Sequence, residues 1–146
     1  MPAKEIPLPP DVLEFVRNNP RTFLLSRRKD GSPTGHPMLC LIGDGHIQFS
    51  TYRKSAKVAN FQRDPATACL ATTKPDAPAF RAALVRGNAR VREGVALPTR
   101  ETPETSSWVS QGVSSRSKER LASGKRIIVE ILPSEAAMLA HVRKRP

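Results

Sequence analysis

Apolar residues change their period several times along the chain, and each change marks an element. Pro7, Pro9 and Pro10 close an extended lead over residues 1–10. Val12, Phe15 and Val16 follow Asp11 at i, i+3 and i+4 spacing. That spacing predicts a short amphipathic helix, stopped by Asn18-Asn19-Pro20. Residues 22–26 are β-prone, and Asp30-Gly31 signals a turn. A second strand runs over 33–42. Gly43-Asp44-Gly45 turns the chain again into a third strand over 46–50, where Ile47 and Phe49 alternate with polar positions. Ser55 can cap a helix over 55–62 that Asp64-Pro65 ends. Strands are expected over 67–73 and 79–93, with a loop at 74–78. Residues 94–124 are polar and read as a helical insert, with helices over 101–111 and 117–122. Arg126-Ile127-Ile128-Val129-Glu130-Ile131-Leu132 reads as a core strand. Residues 133–146 read as a tail with a short helical stretch over 135–139. Six antiparallel strands with few helices predict a mainly β fold, a small closed or half-open barrel in a single domain over 1–146.

Composition narrows the partners. The 146 residues suit one domain with a real core. A net charge of +11 favours anionic partners: nucleic acid, anionic lipid or a polyanionic small molecule. No apolar stretch approaches the roughly 20 residues of a spanning helix, so no membrane partner is expected. The first residues lack the apolar core of a signal peptide, which points to a cytoplasmic protein. Cys40 and Cys69 lie in apolar runs and are expected to be buried thiols. One Trp, one Tyr and five Phe, none interleaved with a basic helix, leave few platforms for base stacking and disfavour nucleic acid. Three histidines and two cysteines show no metal-ligand spacing, and no nucleophile motif is present.

The richest chemistry follows the third strand. Ser50 and Thr51 end it, Arg53, Lys54 and Lys57 follow within a few residues, and a helix begins. The free amides of a helix start attract anions, and hydroxyls and cations beside them make a phosphate cradle.

Ser50-Thr51, Lys57, Asn60 and Arg63-Asp64-Pro65, in that order between two strands, resemble the pyridoxamine 5′-phosphate oxidase-like superfamily. Arg28-Lys29-Asp30-Gly31-Ser32-Pro33 leading into Thr34-Gly35-His36-Pro37-Met38 is similar to its ring-lining second strand. Val85-Arg86-Gly87-Asn88-Ala89-Arg90-Val91 is similar to a later strand of that family. The resemblance spans about residues 11–132. It implies a six-stranded antiparallel split β-barrel of the FMN-binding type, a homodimer with the cofactor at the subunit interface, and either FMN or the deazaflavin coenzyme F-420. By the resemblance Ser50 and Thr51 would meet the cofactor near its phosphate or ribityl chain. Lys57 would bind the phosphate, and His36, Pro37 and Met38 would lie along the ring. The family's vitamin-salvage oxidases carry an Arg directly before the Lys, where this chain has Ala56, so Arg53 or Lys54 is the candidate for the missing charge. The C-terminal Trp and Arg pattern of those oxidases is also absent, which disfavours their vitamin substrate. Arg27, Arg28, Arg81 and Arg86 are candidates for an outer groove that would take the acidic tail of the deazaflavin coenzyme. Trp108 could cap a substrate pocket. The expected reaction is hydride transfer to or from an organic small molecule, with the chemistry in the cofactor and no catalytic side chain assigned. The alternatives are a flavin or haem carrier of the same fold, or a basic nucleic-acid-binding protein.

Overall fold

The computed structural model describes residues 4–93 and 125–139. The insert helices expected over 101–111 and 117–122, Trp108, and the end of the tail lie outside the described residues.

The chain runs α1 (Pro10–Asn18), β1 (Arg21–Arg27), β2 (Pro33–Leu39), β3 (Leu41–Gly43), β4 (His46–Tyr52), α2 (Ala56–Arg63), β5 (Ala66–Thr72), β6 (Ala82–Arg92) and β7 (Arg126–Met138). All neighbouring strands are antiparallel, in the order β2-β1-β5-β6-β7-β4-β3. The sheet is curled into a split barrel of seven strands rather than six, because the run expected over 33–42 serves both edges. Its first part pairs with β1, and Leu41 and Ile42, continued by Gly43, pair with β4. Cys40 is the joint between them, and its N–H donates to the Pro20 carbonyl at 2.8 Å. Successive strands thus lie at opposite edges, and one peptide step ties the edges together.

Side-chain alternation sorts each strand into an inner and an outer face. Leu24, Ile47, Phe49, Cys69, Val85, Val129 and Ile131 form the inner core. Val12, Phe15 and Val16 of α1 and Val58 and Phe61 of α2 pack on it. Pro10 begins α1, where its missing N–H has no helical acceptor to lose. The lead before it is pinned: Leu8 is buried and the Ile6 N–H donates to the Pro133 carbonyl at 2.8 Å. Both thiols are free and buried. Burial pushes the Cys69 thiol up to about 12.

Asp44 and Gly45 both hold positive φ, 52° and 77°. That is the primed two-residue turn matching the twist of the β3–β4 hairpin. Gly87 is required for a different reason. A Cβ there would lie 2.0 Å from the Leu132 carbonyl oxygen. The β6–β7 register shifts between Arg86 and Gly87, and Pro133 lies opposite the glycine. Beyond this bulge β7 continues to Met138, pairing with Ala83–Arg86. Residues 135–138 are therefore strand, not the helix expected in the tail. Helix-prone Glu135-Ala136-Ala137-Met138 follows the free edge of β6, because ladder bonds and burial outweigh a small local propensity.

The apolar run of β7 holds one charge. Glu130 is buried on the outer face, opposite Gln48 and Arg90. It accepts from Gln48 Nε2 at 2.8 Å, Arg90 Nη2 at 2.5 Å and Arg92 Nη1 at 2.9 Å. Burial opposes its charge, but the bonds from Gln48, Arg92 and Arg90 outweigh burial and hold the carboxyl below its usual range. No helix among the described residues is long and apolar enough to cross a membrane.

Candidate functional site

The site grows from the junction between β4 and α2. The Ser55 N–H donates to the Tyr52 carbonyl at 3.0 Å, which turns the chain. Ser55 then caps α2, its Oγ accepting from the Val58 N–H at 3.3 Å. The first intrahelical bond runs from the Ala59 N–H to the Ser55 carbonyl. The amides of Ala56 and Lys57 lie ahead of it, in the orphan first turn of the helix. Asn60 holds α2 to the barrel, donating from Nδ2 to Ser26 Oγ at 3.2 Å and accepting from Arg63 Nη1 at 3.2 Å. Lys57 sits one turn earlier on the helix so anchored.

The ammonium of Lys57 is half-buried. Its pKa is pulled below the ordinary lysine value, first by burial and then by the positive charge of Arg126. Arg126 opens β7 opposite Tyr52. Its Nε donates to Ser50 Oγ at 3.0 Å and its Nη2 to the Ser50 carbonyl at 2.9 Å, while its guanidinium lies 4.5 Å from the Tyr52 ring centroid. His36, on β2, joins the same field. Burial lowers its pKa first, and the charges of Lys57 and Arg28 lower it further. Its Nδ1 is buried without a hydrogen-bond partner.

The expected site residues therefore divide. Ser50 and Lys57 are linked through Arg126, and His36 joins this electropositive region through Lys57. Thr51 follows strand alternation to the other face and is buried on the inner side with Ile47 and Phe49. Arg53 is ion-paired with Glu93, and its N–H donates to the Lys125 carbonyl at 2.9 Å. Lys54 is exposed in the turn. Pro37 and Met38 line a cleft of about 420 Å³ together with Phe23, Leu39 and Lys74. On β2, His36 and Met38 share the more buried face and Pro37 the exposed one. Of the outer-groove arginines, Arg28 is felt by His36. Arg27 pairs with Asp64 at 3.7 Å, Arg81 lies over the Phe15 ring at 5.4 Å, and Arg86 is exposed on β6.

Arg126 escaped the sequence reading. A cation at the mouth of an apolar strand was its one visible signal, and only the β4–β7 register brings it to Ser50. The charges that depress Lys57 and His36 are all positive. An orphaned imidazole nitrogen, a serine hydroxyl, two cations and a helix start form a region that suits a phosphorylated, hydrogen-bonding ligand.

The profile of the pyridoxamine 5′-phosphate oxidase family matches residues 8–140. No curated protein sequence matches the chain. A conserved hypothetical protein of Mycobacterium tuberculosis superposes with a TM-score of 0.67 at 19% identity, covering 97% of this chain and 94% of that one. An F-420 reductase gives 0.61 at 18% identity, over 89% and 98%. A FAD-binding protein of Mesorhizobium loti gives 0.59 at 16%, over 90% and 94%. At such identities these likenesses are of fold.

Proposed function

The chain belongs to the pyridoxamine 5′-phosphate oxidase family, and from that premise we propose that it binds a flavin-type cofactor, FMN or the deazaflavin coenzyme F-420, at the β4–α2 junction and acts as an oxidoreductase. The observation that carries this reading is the positive field in which Arg126 acts on Lys57 and Lys57 acts on His36, with the Nδ1 of His36 buried and unpartnered. The fold neighbours, an F-420 reductase and a FAD-binding protein, support a flavin-type ring. When bound, such a group supplies hydride transfer to or from an organic substrate. The chain's own part is position and charge. Lys57 and the first-turn amides of α2 would hold the phosphate. Ser50 accepts from Arg126 Nε and so keeps its own proton to donate. His36, kept neutral by burial and by its cationic neighbours, would offer a hydrogen bond to the ring or substrate. The cleft lined by Phe23 and Pro37 takes no wall from Ser50, Lys57, His36 or Arg126 and is not part of this cradle. A homodimer with the cofactor between subunits is part of the proposal. Phe23, Tyr52 and Phe80, large apolar side chains left exposed on the single chain, support it.

The test is a titration of the purified protein with FMN and with the deazaflavin coenzyme, followed by visible absorbance and fluorescence quenching. One of them should bind, and Lys57→Ala should weaken it by about 10- to 100-fold, the equivalent of one charged hydrogen bond. Consumption of the reduced cofactor with an organic acceptor checks the oxidoreductase activity. Binding that ignores Lys57 would move the site elsewhere.

A further inference from the structure

The family's vitamin-salvage oxidases are expected to have an arginine where this chain has Ala56, and the sequence offers Arg53 or Lys54 instead. The structure points to another residue. Arg53 is committed to Glu93. Arg90 and Arg92 are committed to the buried carboxylate of Glu130. Arg126 is held on neutral groups alone among the described residues. Its bonds to Ser50 Oγ and to the Ser50 carbonyl fix the plane of the guanidinium, and Tyr52 covers one of its faces. An arginine fixed in this way has already lost most of its rotamer freedom, so an anion that meets it loses little more on binding. Nη1 makes none of the bonds to Ser50, so its two N–H donors are left for a ligand. The nearby cation that depresses Lys57 is Arg126. Two cations so close, with no carboxylate paired to either among the described residues, repel each other until an anion joins them.

We propose that Arg126 is the second cation of the phosphate cradle, standing in for the arginine absent at Ala56, and that Ser50 and Tyr52 are its positioning residues. The assignment rests on the flavin-type reading above and adds to it a named recognition group. The chemistry recognised is a phosphate, whether the monoester of FMN or the diester of the deazaflavin coenzyme. Arg126, Lys57, the hydroxyl of Ser50 and the first-turn amides of α2 converge on it from β7, α2 and β4. The fork also accounts for the side chain at Ser50. A hydroxyl there accepts from Nε and still donates outward, whereas alanine would leave the guanidinium tied by Nη2 alone.

FMN and riboflavin share a ring and differ by the phosphate, so their affinities separate phosphate recognition from ring recognition. Both are measured by fluorescence quenching for the wild-type chain, Arg126→Gln, Arg126→Lys and Ser50→Ala. Arg126→Gln should weaken FMN by about 10- to 100-fold and change riboflavin by less than about twofold. Arg126→Lys should recover part of the loss through charge alone, and Ser50→Ala should weaken FMN more than riboflavin. If the deazaflavin coenzyme is the ligand, the same proteins are titrated with it and with its ring-and-ribityl fragment lacking the phosphodiester, under the same criterion. Unchanged affinity for the phosphorylated compound in Arg126→Gln, or equal loss for both compounds, overturns the assignment and leaves the flavin-type reading standing. A wild-type chain that binds neither flavin nor deazaflavin overturns both. Should Arg126→Gln fail to fold by circular dichroism, Ser50→Ala decides, and an absence of selective loss in it overturns the proposal.

Discussion

His36 shows how a single residue joins stability to binding. Its imidazole is held below the ordinary value of about 6.5 by burial, then by Lys57 and Arg28. The unfolded chain therefore takes up the proton at higher pH than the folded one. The stability this neutral histidine contributes is complete above the unfolded value and is lost as pH falls from there toward the folded pKa. The melting temperature should drop between pH 7.5 and 5.5, and His36→Gln should flatten that drop. Parallel curves for the two proteins would contradict the assignment. A bound phosphate should oppose the effect, since an anion among these cations favours the protonated ring. At the same scale, the paired hydroxyls Ser50-Thr51 were legible as a pair but not as opposites. A strand of period two sends one toward Arg126 and buries the other.

At the scale of elements, β6 and β7 carry the longest pairing, and Gly87 is where it bends. A methyl group at residue 87 would meet the Leu132 carbonyl at 2.0 Å, a backbone atom with no side-chain freedom to yield. Gly87→Ala should cost roughly 3 kcal/mol or more, or prevent folding. Urea denaturation measures it, and a loss under about 1 kcal/mol would show that the bulge relaxes. The sequence marked Gly87 only by resemblance, because the clash comes from a residue 45 positions later. Most elements were readable from their own residues. The amphipathic spacing of α1, the Asp-Gly turn signals and the capped start of α2 are local, and each appears in the structure. The strand over 135–138 was not, because its partner on β6, and not its composition, selects its conformation.

For the whole molecule, the decisive feature is the joint at Cys40. β2 and β3 are one stretch of chain divided between two edges, so the curl of the sheet brings His36 of β2 into the field of Lys57 on α2. The proposed dimer belongs to this scale. Sedimentation should give twice the chain mass of 16.0 kDa, and a monomer that binds cofactor at full affinity would remove the partner from the site.

By itself the amino-acid order determined the period of each segment, its turns and caps, the positive charge, and the hydroxyl-and-lysine junction after the third predicted strand. Those are properties of residues a few positions apart, where sterics and local hydrogen bonds act. The tertiary structure decided which cations face one another without a carboxylate, which hydroxyl turns inward, and that Arg126 meets Ser50 across a gap of 76 positions. Charge and hydrogen bonding act through space over a few ångströms, and only the pairing register of the curled sheet determines which distant residues come that near.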